Sequence, residues 1–235
     1  MDRYPIIDFG NFPIYNIMGG LGFIAGLLLF MKNLNGIDEP EREKDKILTL
    51  LAVSFLSAMF FANFINWFVI PGVLNYSLID RFRVAGFTFY FGLIAFFFTS
   101  YVLLKIYKFQ VGKIINFVIP SALIFHSFGR IGCSFGGCCY GKEINYNLFN
   151  HFLIERFPAR EIEAFLLFVL FVTAYFFIKK DRLVFYLYTY PVIRFFLEYG
   201  RGDVRGKLFT DILSPAQMVS IFIVVLTTIV LVIKK

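Results

Sequence analysis

Seven long apolar stretches alternate with short polar ones along the chain. They run Ile14–Met31, Ile47–Ile70, Val84–Tyr107, Ile114–Cys133, Glu163–Ile178, Leu183–Tyr199 and Ile212–Ile233. A helix rises about 1.5 Å per residue, so about 20 apolar residues cross the ~30 Å hydrocarbon core of a bilayer. The pattern predicts an all-α polytopic membrane protein with seven transmembrane helices in one domain, residues 1–235. The fifth and sixth stretches are short or polar by that measure, which leaves their edges open. Asn33–Asp45 is charged throughout and reads as a solvated loop. Asp2, Arg3, Pro5 and Asp8 precede the first stretch, and no small-residue cleavage site follows a short apolar core. No cleavable signal peptide is therefore expected.

Composition agrees with that class. Of 235 residues, 59% are hydrophobic and 20% aromatic, and the mean hydropathy is +0.73. Soluble domains are about 45–50% apolar. The net charge of +7 is then no footprint of nucleic acid, because Lys and Arg of such proteins collect in particular loops. Lys32, Arg42, Lys44 and Lys46 follow the first stretch, and Lys105, Lys108 and Lys113 surround the turn after the third. Lys179, Lys180 and Arg182 follow the fifth, and Lys234-Lys235 follow the seventh. These clusters share one side if the N-terminus is outside and the C-terminus inside. The opposite loops carry Arg81, Arg83, Arg156, Arg160, Arg201, Arg205 and Lys207, set among Gly, Pro, Asp and Glu as binding residues would be.

Two segments are chemically dense. The first, His126–Gly141, continues the fourth stretch and holds Arg130, five glycines and all three cysteines. An arginine at mid-membrane costs about 2.5–3.5 kcal/mol on insertion scales, so its presence marks a functional candidate. Dense glycines let backbone leave the helix, which at that depth requires protein or a polar cavity alongside. The second is Tyr190–Asp203, where Tyr190, Arg194, Glu198 and Arg201 recur at helical spacing and fall in one stripe. Glu198 reads equally as the partner of Arg194 one turn away or as part of a binding site. Three guanidiniums and a phenol suit an anion, since Arg offers a planar fork to phosphate oxygens. A phospholipid headgroup is the expected ligand.

Gly129-Arg130-Ile131-Gly132 with Gly141, followed by Tyr190-x-x-x-Arg194-x-x-x-Glu198-x-x-Arg201, resembles the signature of bacterial prolipoprotein diacylglyceryl transferases. Weaker similarities extend along the chain: Pro5–Gly26, Phe89–Ile94, Arg156-Phe157-Pro158 before Glu163-Ala164, and Ser214–Met218. The resemblance implies seven helices with the same orientation in a bacterial plasma (inner) membrane. It implies transfer of diacylglyceryl from phosphatidylglycerol to the lipobox cysteine thiol of a prolipoprotein, forming a thioether and releasing glycerol phosphate. The implied partners are phosphatidylglycerol, prolipoprotein signal peptides and the lipid bilayer, without metal, nucleotide or other cofactor. Arg130, Arg194 and Arg201 would hold the departing phosphate. Gly132, Cys133, Gly141, Tyr190 and Glu198 fall at substrate-binding positions.

The departures from the family pattern fall on the acid–base positions. Tyr90 stands where the family has His, Cys133 where it has Asn, and Cys138 where it has a carboxylate. Tyr90 and Cys138 are accordingly candidate catalytic groups, although a phenol of pKa near 10 is a poor base at neutral pH. The three cysteines read as a weak metal signal, a redox pair or small packing residues, and His126 as a structural histidine or a base. Two other functions remain open: a phospholipid-dependent membrane transferase with a different acceptor, and a non-catalytic anionic-lipid-binding or transport protein.

Overall fold

The computed structural model describes residues 4–7, 13–36, 39–70, 72–86, 89–148, 152–203 and 213–233. Arg205, Lys207 and Lys234-Lys235, invoked above for topology, lie outside the described residues. The long helices are α1 (Ile14–Asn35), α2 (Glu41–Phe64), α5 (Phe89–Ile106), α6 (Val111–Gly136), α7 (Ala159–Val172), α8 (Arg182–Leu197) and α9 (Pro215–Ile233). Two short helices, α3 (Asn66–Val69) and α4 (Leu78–Val84), lie between α2 and α5. A π turn, Thr173–Phe177, extends α7, and a 3-10 turn, Glu198–Gly200, extends α8. Among the described residues, α1, α2 (with α3), α6 and α9 are long and apolar enough to cross a bilayer. The protein is an all-α integral membrane protein by this measure.

Each predicted stretch contains a long helix, with shifted ends. The third begins at Phe89 rather than Val84, because Val84 closes the separate helix α4. The fifth begins at Ala159, one turn before Glu163. No element is predicted over 143–156. That segment forms an antiparallel hairpin, β1 (Glu143–Leu148) with β2 (Phe152–Arg156).

The chain packs as two units, residues 33–114 and residues 1–32 with 115–235. In the first, α2 lies against α5 through small residues. A Cβ on Gly92 would stand 3.0 Å from the Ala62 Cβ and 3.3 Å from the Ala58 carbonyl oxygen. Small residues let helix backbones approach where lipid gives no hydrophobic drive to associate. Ser57 and Thr99 share a 3.0 Å hydrogen bond across the same pair.

In the second unit α1 meets α6 in the same way. A Cβ on Gly22 would come within 2.6 Å of the Phe128 Cβ, and one on Gly26 within 2.9 Å of the Ser121 carbonyl oxygen. Helix α9 starts at a reciprocal cap. The Ser214 amide donates to Gln217 Oε1 at 3.0 Å, and the Gln217 amide donates to Ser214 Oγ at 3.2 Å. Ser-Pro-Ala-Gln thus specifies a helix start by itself, with Pro215 in the first turn where no amide is needed.

Candidate active site

Helices α6, α7 and α8 bring one cluster of charges together within the unit of residues 1–32 and 115–235. At its centre is Glu163 of α7, with 0% of its surface exposed. Its Oε1 accepts a hydrogen bond from the Tyr190 hydroxyl at 3.0 Å and lies 3.1 Å from Arg130 Nη2. Its Oε2 lies 3.8 Å from Arg194 Nη1 and 3.9 Å from Arg201 Nη1. Arg194 Nη2 also approaches Glu198 Oε2 at 2.6 Å, and Arg201 forks onto Asp203 at 2.8 and 3.0 Å. The side chains of Arg130, Arg194 and Arg201 are 11%, 1% and 2% exposed.

Three cations thus face Glu163, Glu198 and Asp203. An isolated buried charge is prohibitive, and this balance makes the cluster tolerable. The hydrogen-bond geometry is less complete than the charge. Arg130 Nε, Arg194 Nη1 and Arg201 Nη1 are buried without an aligned acceptor among the described residues. The guanidiniums are held by attraction with donor capacity to spare.

Aromatic rings set the orientation of Tyr190. Tyr186 stacks on it at 5.5 Å, and His126 meets it edge-on at 4.9 Å. The Ser127 hydroxyl donates to the Ala164 carbonyl at 2.9 Å, tying α6 to α7 one residue from Glu163. Beside this tie an apolar groove of about 450 Å³ includes Ile6, Phe128, Ile131, Phe165 and Phe168, with Glu161 at its wall.

The glycines have packing reasons. A Cβ on Gly132 would meet the Tyr15 carbonyl oxygen and the Met18 Cβ, each at 3.2 Å, so its position serves the α1–α6 contact. One on Gly141 would overlap the Phe157 carbonyl oxygen at 1.9 Å. Gly141 pairs with Arg201, and the Gly202 amide donates to the Tyr140 carbonyl at 3.0 Å. The backbone crossing there carries Arg201 to the cluster. Close approach of chain to chain gives both glycines a packing reason.

Cys133, at the end of α6, is buried, and Cys138 and Cys139 are half-buried. Their three sulfurs lie within 4.8 Å of one another. Cys138, the candidate that stands in place of a carboxylate, is one member of this group. Tyr90 lies in the first turn of α5, in the other unit, and its side chain is outside the described set.

Two residues take a larger part than the sequence alone indicates. From sequence, Glu163 figures only as part of a weak similarity, although a lone carboxylate in the apolar run Ile162–Val172 must find a cation. Arg160, grouped with the basic residues of the opposite loops in a setting suited to binding, lies in the first turn of α7. It is buried, and its guanidinium donates to the carbonyls of Cys138 at 2.9 Å, Cys133 at 3.4 Å and Tyr4.

A family model described as prolipoprotein diacylglyceryl transferase matches residues 6–233. The phosphatidylglycerol–prolipoprotein diacylglyceryl transferase 2 of Clostridium perfringens (strain 13 / Type A) is 28% identical over 226 residues, covering 90% of this chain and 86% of the relative. The corresponding transferase of Clostridium tetani (strain Massachusetts / E88) is 27% identical, covering 90% and 89%. That of Finegoldia magna (strain ATCC 29328 / DSM 20472 / WAL 2508) is 26% identical, covering 96% and 92%. The chain belongs to the prolipoprotein diacylglyceryl transferase family.

Proposed function

We propose that this member of the family transfers a diacylglyceryl group from phosphatidylglycerol to the lipobox cysteine thiol of prolipoproteins in a bacterial plasma membrane. The observation that carries the reading is the Glu163-centred cluster, whose three arginines keep unaligned buried donors. Charge develops on the phosphate oxygen as the glycerol carbon leaves it. Preorganised donors aimed at that charge lower the barrier more than they stabilise the bound lipid. Arg130 and Arg194 take the phosphate, and Arg201 completes the field. Tyr190 and Glu198 position the guanidiniums, and Gly132, Cys133 and Gly141 shape the surrounding backbone. The apolar groove between α6 and α7 suits an acyl chain. The acceptor thiol must lose its proton to become a nucleophile. In place of the family's histidine, Tyr90 or the thiol group that includes Cys138 takes part in that step.

The topology proposed with this function is seven spans, N-terminus outside and C-terminus inside, so that the cluster serves exported substrates. A reporter active only in the cytoplasm should work when fused after Lys235 or inserted near Glu41, and fail near Asn147. The activity is tested by complementing a strain depleted of its own transferase and by assaying purified protein with phosphatidylglycerol and a lipobox peptide. Thioether-linked peptide with released glycerol phosphate is the expected result. Lipid binding without any transfer would point instead to a non-catalytic lipid-binding protein, and transfer to some other acceptor to a related transferase.

A further inference from the structure

We infer that Cys133, Cys138 and Cys139 form a three-thiolate site for a thiophilic cation of the zinc type, with its fourth coordination position open to an exogenous thiol. Zinc–sulfur bonds of about 2.3 Å place the sulfurs of a tetrahedral site roughly 3.8 Å apart. The three sulfurs already lie within 4.8 Å of one another, so ligation needs only small side-chain adjustments. Among the described residues no further His, Cys, Asp or Glu joins the group. Structural zinc sites are closed by four protein ligands, whereas reactive ones have three and leave a place for an outside molecule. Cys133 is buried, while Cys138 and Cys139 are half-buried, so the group is not fully enclosed.

The backbone holds this arrangement from outside the sulfurs. Gly137 at φ 72° and Cys139 at φ 60° turn the chain back on the end of α6. A left-handed cysteine is uncommon, and it persists only where surrounding contacts fix it. Those contacts are present. Arg160 binds the carbonyls of both Cys133 and Cys138, and the Tyr4 amide donates to the Gly137 carbonyl at 2.9 Å. Small residues that merely pack a helix end do not require such a clamp. A disulfide would use two sulfurs and strand the third. Zinc with three thiolates carries one net negative charge, and Arg130 and Arg201 supply positive charge beside Cys139.

The fourth position has a use that rests on the transfer reading, although the site itself does not. A lipobox thiol binding there releases its proton to solvent on coordination, because a metal-bound thiol is deprotonated outright. Its sulfur lone pair then forms the bond to the glycerol carbon as the carbon–oxygen bond to phosphate breaks. The bonding pair leaves on the phosphate oxygen toward the arginines, and zinc changes neither charge nor oxidation state.

The test uses the full chain in detergent, carrying no histidine tag, reduced, stripped with chelator and titrated with cobalt(II) as a coloured stand-in for zinc. The expected result is one cobalt per chain, with intense tetrahedral absorption and a sulfur-to-cobalt charge-transfer band, both erased by added zinc. Cys133→Ser, Cys138→Ser and Cys139→Ser should each weaken binding at least about tenfold. A measurement that needs no variant is alkylation of the parental chain, in which zinc should protect all three thiols together. Absence of both the cobalt band and the protection overturns the site, as does a spectrum unchanged in the triple serine variant. A small thiol added to the cobalt form should shift its visible bands, and indifference to it overturns the open fourth position. Metal binding without transfer leaves the site standing and removes the transfer reading. Transfer undiminished after chelation removes the fourth-ligand step and leaves the transfer reading intact.

Discussion

In the unit of residues 33–114, Asn63 is buried with every polar atom engaged. Its Nδ2 donates to the carbonyls of Phe82 at 3.0 Å and Gly86 at 2.8 Å, and its Oδ1 accepts from Trp67 Nε1 at 2.9 Å. Asn66 Nδ2 donates to the Ala85 carbonyl at 3.0 Å, closing the turn after α4 onto α2 and α3. In the other unit, Glu163 sits among three guanidiniums, two of them 3.8 and 3.9 Å from its Oε2, and several of their donors lack an aligned acceptor among the described residues. Both groups are buried and polar. The first is neutral and saturated, which is what holding a fold requires. The second is charged and undersaturated, a costly state that becomes useful when an anion arrives to take the donors. The difference separates a structural polar group from a binding one more sharply than burial does.

The largest effect should come from the undersaturated cluster. Arg130→Ala or Arg194→Ala should lower kcat by about 10²–10³-fold while the protein still inserts in the membrane, as measured with a lipobox peptide. A parental rate in either variant would falsify the phosphate-holding role of that residue. Next is Glu163→Gln, which preserves shape and removes the common anchor of the arginines. It should lower kcat by up to about 10²-fold, since misplacing catalytic groups by an ångström costs that much. Unchanged kcat there would mean the arginines are positioned by Glu198 and Asp203 alone.

The saturated group should respond in the opposite currency. Asn63→Ala strands the Trp67 N–H and two carbonyls, so thermal unfolding in detergent should report a loss of about 1–3 kcal/mol. Transfer rate per folded molecule should be unchanged, and a kcat defect without a stability defect would break the contrast. The smallest effect is expected for Arg83→Ala. Its 3.6 Å contact with Asp80 lies between side chains 77% and 47% exposed, and unfolding should not register its loss.

The helices α1, α2, α6 and α9 were legible because an apolar run in a membrane protein needs no period to be recognised; length identifies it. Tyr190 and Arg194 were legible for a related reason, since residues on one helix have a fixed angular relation. Glu198 falls in the 3-10 turn and Arg201 in extended backbone beyond it, so the backbone pairing with Gly141, and not the predicted helical stripe, brings Arg201 in. Glu163 was harder to assign. Its partners lie on α6, α8 and the turn beyond α8, and no spacing within one helix reveals which cations converge on a carboxylate of another. The cross-chain contacts of Arg160 were hidden because, beyond its neighbour Glu161, its partners are backbone carbonyls, which carry no residue signature. The packing of Gly132 and Gly141 was not legible, because the sequence cannot say which part of the same chain will approach a glycine. The hairpin at 143–156 contains charged and apolar residues without long alternation, and its pairing is interrupted between Glu143 and Tyr146.

The central claim is that spare guanidinium donors, and not positive charge alone, hold the departing phosphate. Arg194→Lys tests it most directly, because it retains the charge at a side chain 1% exposed and removes the planar fork. The measurement is kcat for transfer from phosphatidylglycerol to a lipobox peptide, with parental and variant proteins purified side by side and shown to be folded. The account predicts a loss of at least about tenfold in kcat for the lysine variant. A lysine variant that transfers at the parental rate would contradict it.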